Sequence, residues 1–210
     1  MDHTIAICTS HRGASDETLA SLKALQAAGA TVRVWSGLAD VALARNIHLT
    51  RALREISGTS TDVMLLVDDD MEISVDVAQR LVSKARATDR AVSACYATKT
   101  GHLAATRCAS GWLTGLGSLA VTVSRIAALA AESSLCRTVN GETAYAFTWT
   151  GPESQAGAEP IWFSEDYRLC ERLQGVLLEP VAAGHLKRIA LYPDGETIAR
   201  LTDEEEAGKA

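Results

Sequence analysis

The stretch from Val63 to Met71 constrains the fold of this chain more than any other. It reads Val-Met-Leu-Leu-Val-Asp-Asp-Asp-Met, so five apolar residues run directly into three carboxylates. An unbroken apolar run of this length is typical of a strand that is buried on both faces. In open α/β sheets, ligands bind just beyond the carboxyl ends of such strands. The stretch therefore predicts a covered strand with acidic groups at a ligand-binding edge.

The three adjacent acids, Asp68, Asp69 and Asp70, indicate a divalent cation. Ionised carboxylates this close repel one another, and no basic residue follows them at once to neutralise them. A hard cation that takes oxygen ligands would relieve the repulsion. The alternative interpretation is a solvated acidic turn after a core strand, which needs no ligand.

The segments around this strand alternate between strand and helix patterns. Residues 4–8 and 31–35 read as strands on either side of a helix that Ser15 or Asp16 caps, and this βαβ order predicts a parallel pair. Residues 9–13 read as a polar loop. Helices are expected over residues 40–56, from Ser74 or Asp76 to about 87, over 125–131 and over 164–173. Further strands are expected at 91–96, 118–123, 176–181 and 189–192, with a hairpin or an irregular strand over 140–149.

This order predicts one α/β domain with a mixed, mostly parallel sheet flanked by helices. A chain of 210 residues is long enough for one such core. The domain is expected over residues 1–201, and the acidic residues 202–210 are expected to form a disordered tail. Residues 151–160 are rich in glycine, proline and serine, which predicts a functional loop or lid.

Charge and cysteine usage narrow the partners and the compartment. The chain has 20 basic and 26 acidic residues, and a formal charge of −6 does not favour a nucleic-acid or anionic-membrane partner. The five cysteines are scattered and lack CxxC spacing, which is typical of reduced thiols in a cytoplasmic protein. Neither a signal sequence nor a membrane span is expected.

Three further positions could carry chemistry. Arg45 could pair with a phosphate or a carboxylate, although a surface arginine on a helix is the simpler interpretation. Glu165 and Asp166 follow Ser164 at a predicted helix start, where the helix dipole alone favours acids, yet either could act as a general base. His185 follows a strand and a glycine. A lone histidine is more often structural, but neutral imidazole is also a common metal ligand.

Taken in order, these segments resemble the family 2-like glycosyltransferases with the type A (GT-A) fold. The resemblance covers roughly residues 3–193 and implies a single Rossmann-like GT-A domain. The ending of the motif set also looks like small stand-alone transferases of bacteria and their phages. The resemblance rests on Ala44-Arg45-Asn46, Leu66-Val67-Asp68-Asp69-Asp70, Ser164-Glu165-Asp166-Tyr167-Arg168-Leu169-Cys170 and Gly184-His185.

The resemblance implies transfer of a sugar from a nucleoside-diphosphate sugar to an acceptor hydroxyl, with Mn²⁺ or Mg²⁺ bridging the diphosphate. Asp70 then matches the acid that binds the metal. Asp68 matches the acid that holds ribose or sugar hydroxyls and can share the metal. His185 matches a second metal ligand, and Asp166 matches the base of inverting members. The positions that match donor contacts are Thr9, Ser10 and Arg45.

One departure from the family pattern leaves the nucleotide base open. The usual acid after the second strand is missing, and Asp40 is the nearest acid that could replace it. Two other functions stay open as well. A nucleotidyltransferase also places carboxylates and a metal at strand ends, but its first loop is commonly glycine-rich and basic, whereas this one offers only Arg12 and Gly13. A non-catalytic sugar-nucleotide binding module would bind donor without turnover.

The sequence leaves the acceptor open among a glycan, a small molecule and a hydroxymethylated base of phage-type DNA. The expected absence of a membrane anchor argues against lipid-linked acceptors. No oligomeric state is predicted. A local surface for DNA could be built from basic residues despite the net charge. These residues are Lys84, Arg86, Arg90, Lys99, Arg107, Lys187 and Arg188.

Overall fold

The computed structural model of the chain describes residues 1–10, 13–36, 40–96, 103–138, 141–153 and 161–186. The expected strand at 189–192, most of the expected loop at 151–160 and the acidic tail at 202–210 lie outside these residues. In chain order the elements are β1 (Thr4–Ser10), α1 (Asp16–Ala27), β2 (Thr31–Ser36), α2 (Val41–Ile56), β3 (Val63–Asp68), β4 (Met71–Glu72), α3 (Val75–Thr88), β5 (Val92–Cys95), β6 (Ala105–Cys108), β7 (Gly111–Thr114), β8 (Ser118–Thr122), α4 (Val123–Ala131), β9 (Leu135–Arg137), β10 (Thr143–Tyr145), β11 (Gly151–Glu153), β12 (Ile161–Phe163), α5 (Glu165–Arg172), β13 (Leu177–Ala182) and β14 (Gly184–His185).

A six-stranded mixed sheet with the order β13-β5-β8-β3-β1-β2 forms the centre of the molecule. β1 is parallel to both β2 and β3, and β13 is parallel to β5. β8 lies between β3 and β5 and is antiparallel to both. Helices cover the two faces of this sheet, so the predicted α/β class with a mixed, mostly parallel sheet is confirmed.

The apolar run of β3 serves both faces of the sheet, as its sequence predicts. Val63, Leu65 and Val67 pack into the core that α1 and α3 cover. Met64 and Leu66 point the other way, into the core that α2, α4 and α5 cover. Because successive side chains of a strand alternate, a strand between two helical layers must be apolar at every position.

Side-chain caps set the starts of four helices. Ser15, Ser74 and Ser164 each accept a hydrogen bond from a backbone N–H in the first turn of α1, α3 and α5. Asp40 caps α2 in the same way, accepting from Leu43 N at 2.8 Å. These bonds satisfy donors that a helix start would leave unpaired. Asp40, the candidate replacement for the acid after the second strand, is therefore engaged in capping.

Two expectations need correction. Thr9 and Ser10 were expected in a loop, but β1 continues through them because β2 extends to Ser36 and provides hydrogen-bonding partners. The periodicity also did not predict the short ladders β6–β7, β11–β12 and β4–β14. A hairpin is present as β9–β10, but its first strand lies before the expected range of 140–149, and Asn140 itself lies outside the described residues.

None of the helices in the described part of the chain is long and apolar enough to cross a membrane.

Candidate active site

A cleft of about 460 Å³ opens where β1 and β3 end. The carboxyl ends of parallel strands are the usual ligand-binding edge of such a sheet. α2, β5 and the start of α5 complete the walls. The lining residues include Thr9, Arg45, Asp68, Asp69, Asp70, Tyr96, Gly115, Ser164, Glu165, Asp166 and Tyr167.

Arg45 lies at the base of this cleft and joins two carboxylates. Its Nη1 lies 3.0 Å from Asp68 Oδ1, and its Nη2 lies 2.8 Å from Asp166 Oδ1. The arginine is 4% exposed, whereas the side chains of Asp68 and Asp166 keep 27% and 23% of their surface open. The interpretation of Arg45 as a surface residue is therefore wrong: it is a buried cation with two acids turned toward the cleft.

Arg45 stays charged although it is buried, because the two carboxylates stabilise the guanidinium. Burial alone would lower the pKa of the guanidinium, but the adjacent Asp68 and Asp166 carboxylates raise that pKa above its ordinary value. No basic residue follows the three acids at once in the sequence. The fold supplies the neutralising cation from α2 instead.

Asp166 has the environment of a proton acceptor that works near neutrality. Burial raises the pKa of its carboxyl to about 7, Arg45 opposes this rise, and Asp68 and Glu165 add to it. The backbone N–H of Leu116 donates a hydrogen bond to the same carboxylate. A general base is most effective when its pKa is close to the working pH.

Sequence reasoning missed Tyr96 and the glycines that surround it. A Cβ at Gly115 would lie 1.9 Å from the Tyr96 hydroxyl oxygen and 3.6 Å from Asp166 Oδ2. A Cβ at Gly117 would lie 3.2 Å from Asp68 Oδ2, and Gly117 O accepts from Asp68 N at 3.2 Å. A side chain at Gly115 would therefore overlap Tyr96, and one at Gly117 would crowd Asp68. The Gly-Leu-Gly spacing before β8 was the signal that could have indicated it.

Asn46, the residue after Arg45, fixes the backbone of Thr148, which contacts the start of α5. Its side-chain amide donates to Thr148 O at 2.8 Å and accepts from Thr148 N at 3.0 Å. The Thr148 hydroxyl in turn donates to the carbonyl of Glu165 at the start of α5. Consecutive residues of α2 therefore contact the acids and fix the segment that positions Asp166.

Thr9 and Ser10, the other residues predicted to contact the sugar donor, have different surroundings. Thr9 lines the cleft, and its hydroxyl lies 3.1 Å from His48 Nδ1. Ser10 is buried, and its hydroxyl accepts from the backbone N–H of Gly13 at 2.8 Å, so it links the end of β1 to Gly13.

The chain returns to the acidic strand end at β14. The backbone of His185 pairs with Met71, and Leu186 N donates to Asp70 O at 2.6 Å. The predicted second metal ligand therefore belongs to a segment that runs beside Asp70. The side chain of His185 lies outside the described part of the structure.

The acids of the cleft fit a metal ion only in part. Within the described residues, no three His, Cys, Asp or Glu side chains group closely enough to hold an ion by themselves. Mg²⁺ commonly binds through one or two carboxylates together with substrate phosphates. Asp68 is engaged by Arg45, and Asp70 lines the same cleft. The donor set therefore fits an ion that shares its ligands with a bound phosphate group.

Three solved structures resemble the fold of this chain at low sequence identity. Neither a scan against protein-family models nor a search of curated proteins gives a match. Protein A197 from STIV is 21% identical, with a TM-score of 0.48 over 60% of this chain and 68% of its own. The 4-diphosphocytidyl-2C-methyl-D-erythritol synthase from Anaerococcus prevotii is 10% identical, with a TM-score of 0.45 over 95% of this chain and 97% of its own.

A third solved structure, described as a nucleotide-diphospho-sugar transferase from Desulfovibrio desulfuricans, is 10% identical. Its TM-score is 0.40, over 98% of this chain and 97% of its own. Because the three TM-scores are below 0.5, the case for function rests on the residues of the cleft.

Replacing Arg45 should change how stability depends on pH. The pKa of Asp166, about 7 in the folded protein, lies above its ordinary value of 3.8, so stability falls as pH rises between these values. Arg45→Met removes the cation that holds this pKa down. We therefore expect a loss on the order of 3–5 kcal/mol near neutrality and a steeper fall in stability from pH 5 to pH 8.

Chemical denaturation at several pH values measures this effect. Arg51→Met is the matched control, because Arg51 forms a more exposed pair with Glu142 and such pairs contribute at most about 1 kcal/mol. Equal pH slopes for Arg45→Met and the parent chain would show that Arg45 does not control Asp166.

Gly115→Ala should disrupt the site through Tyr96. The added Cβ would overlap the tyrosine hydroxyl, so we expect a loss of about 1–3 kcal/mol of stability from overpacking. Adding Tyr96→Phe removes the overlapping oxygen and should recover part of that loss. Thermal unfolding of the two single variants and the double variant tests this, and strictly additive losses would refute the contact.

Proposed function

We propose that the chain is an inverting glycosyltransferase that moves a sugar from a nucleoside-diphosphate sugar to an acceptor hydroxyl. The observation that carries this proposal is the convergence of Asp68, Arg45 and Asp166 in one cleft at the strand ends. Such a reaction needs positive charge for a leaving diphosphate and a carboxylate for the attacking hydroxyl. The Asp166 carboxylate can take the second role. Because Arg45 is already shared by Asp68 and Asp166, a bound metal ion would supply the first.

The donor side of the proposal uses the strand end and α2. Asp68 and Thr9 face the cleft where a nucleoside and its sugar would lie, and Arg45 is a buried cation within reach of the same space. Asp70 would hold Mn²⁺ or Mg²⁺ together with the donor phosphates, and His185 stays a predicted further ligand. The ion, when bound, supplies positive charge that stabilises the diphosphate as it leaves.

The acceptor side uses Asp166. The acceptor oxygen attacks the anomeric carbon, the bond from that carbon to the diphosphate oxygen breaks, and its electron pair stays on the diphosphate. The proton of the acceptor hydroxyl passes to the Asp166 carboxylate. Glu165 precedes Asp166 in the first turn of α5. The helix dipole favours a negative charge there, so a purely structural role accounts for Glu165.

Contacts of the basic residues do not favour a DNA acceptor. Lys84 and Arg86 form ion pairs with Glu179 and Asp62. Arg90 donates to a backbone carbonyl, Ser110 O. Arg107 stacks over the ring of Trp112 at 5.5 Å. Lys99, Lys187 and Arg188 lie outside the described residues. A glycan or a small molecule is therefore the acceptor class that we propose first.

A donor screen by mass spectrometry tests the proposal. The chain is incubated with a panel of nucleoside-diphosphate sugars and Mn²⁺, with glycans, small alcohols and hydroxymethylated DNA as acceptors. We expect slow donor hydrolysis, faster transfer to one acceptor class, and loss of both with EDTA. Pyrophosphate release from a nucleoside triphosphate would instead indicate a nucleotidyltransferase, and binding without turnover would indicate a non-catalytic module.

Asp70→Ala should abolish the metal dependence of donor binding. Because the described acids form no three-ligand group, Mn²⁺ alone should bind weakly, and Mn²⁺ with a nucleoside diphosphate should bind together. Calorimetry with and without Mn²⁺ measures this, with Asp69→Ala as the matched acidic control that should lose less. If the metal-dependent affinity of Asp70→Ala equals that of the parent chain, Asp70 is not a metal ligand.

Asp166→Asn should keep folding and donor binding but slow transfer. The amide preserves the shape of the carboxylate and cannot accept the proton, so we expect a loss of about 10²–10⁴-fold in single-turnover rate. Glu165→Gln is the control and should lose much less. Transfer at the parent rate in Asp166→Asn, or a product that retains the anomeric configuration of the donor, would contradict the inverting-base role.

A further inference from the structure

His48 is a buried imidazole beside the cleft that the proposed chemistry does not use. It lies on α2 and is 1% exposed. Its Nδ1 is 3.1 Å from the hydroxyl of Thr9, and its ring centroid is 5.2 Å from that of Trp35. Its Nε2 has no hydrogen-bond partner among the residues that the structure describes. Within the described part of the chain, the histidine therefore makes one polar contact, and that contact is with a residue of the cleft wall.

The surroundings of His48 keep the ring neutral. Burial and the positive charges of Arg51 and Arg45, opposed by the charge of Glu142, together lower the pKa of the imidazole to about 4. At neutral pH the ring therefore carries one N–H, on either Nδ1 or Nε2. The position of that proton decides which way the hydrogen bond to Thr9 runs.

The proton belongs on Nδ1. On Nε2 it would be a buried donor without a partner in the described structure, which costs about 1–3 kcal/mol and is rare in native proteins. A lone pair on Nε2 is tolerated more easily, and the positive charges of Arg51 and Arg45 disfavour a second proton on the ring. With the proton on Nδ1, His48 donates to the Thr9 oxygen.

This direction leaves Thr9 with a defined role. Its oxygen already accepts from His48, so its own proton is the group that it can offer to the cleft. We propose that His48 is a positioning residue that fixes the Thr9 hydroxyl as a hydrogen-bond donor to an acceptor oxygen of the bound nucleotide. The inference rests on the proposed function, and it says which group donates and which accepts in one hydrogen bond between the chain and the nucleotide.

The tautomer is measured without any ligand. Two-dimensional ¹⁵N–¹H NMR of the imidazoles distinguishes Nδ1–H from Nε2–H, and His48→Asn assigns the signals among the five histidines. We expect the His48 ring to stay neutral with the proton on Nδ1 from pH 6 to pH 8. An Nε2–H tautomer would overturn the inference whatever the enzyme does.

Binding of UDP and GDP with Mn²⁺ tests the consequence. Loss of one hydrogen bond corresponds to about tenfold in affinity. We expect that loss for Thr9→Val and for His48→Leu, but not for Thr9→Ser. His48→Asn places an amide N–H near the Nδ1 position and should retain affinity. If His48→Asn weakens binding as much as His48→Leu, the histidine contributes packing only and the inference fails.

Truncated ligands distinguish the two sources of the acceptor oxygen. A loss in Thr9→Val that persists with the nucleoside alone places the oxygen on the base or the ribose. A loss that appears only with the mono- and diphosphate places it on a phosphate. If the parent chain binds no nucleotide while the Nδ1–H tautomer is present, the proposed function has failed and the geometry at His48 has not.

Discussion

A guanidinium held between two carboxylates in a nearly closed space is the interaction on which this site depends. Arg45, Asp68 and Asp166 belong to α2, β3 and α5, and no other described contact joins these three elements at the cleft so directly. Removing charges from water is costly, so a buried ion pair is weak evidence for a contribution to stability. The two ion pairs matter here because they fix the positions of the three side chains. Losing either pair would leave an uncompensated charge facing the cleft.

The residues around Arg45, Asp68 and Asp166 hold these three side chains in fixed relative positions. Asn46 fixes the backbone of Thr148, which in turn contacts the first turn of α5, and the glycines before β8 let the backbone pass between the acids and Tyr96. Substitutions at these supporting positions change the geometry of the acids without touching a substrate. The site therefore extends beyond the residues that contact ligand.

Local signals explain which parts of the molecule could be predicted from the sequence. The continuous apolar run of β3 and the polar residues before α1, α3 and α5 act within a few residues of themselves. The buried strand was interpreted correctly, and the structure decides between the alternatives Ser15 or Asp16 and Ser74 or Asp76 in favour of the serines. The burial of Arg45 and the antiparallel insertion of β8 depend on partners far away in sequence, so periodicity could not show them. The same holds for the metal argument: the three acids had no basic neighbour in sequence, but the fold brings one from α2.

A double-mutant cycle between Arg45 and Asp166 tests the central claim most directly. Free energies of unfolding are measured at pH 8, where the Asp166 carboxyl is mostly ionised, for the parent, Arg45→Met, Asp166→Asn and the double variant. Contacting charged groups typically couple by about 0.5–3 kcal/mol. We predict that Asp166→Asn stabilises Arg45→Met more than it stabilises the parent, because in Arg45→Met it removes a carboxylate that has lost its cation. Effects that add within about 0.5 kcal/mol would contradict the account.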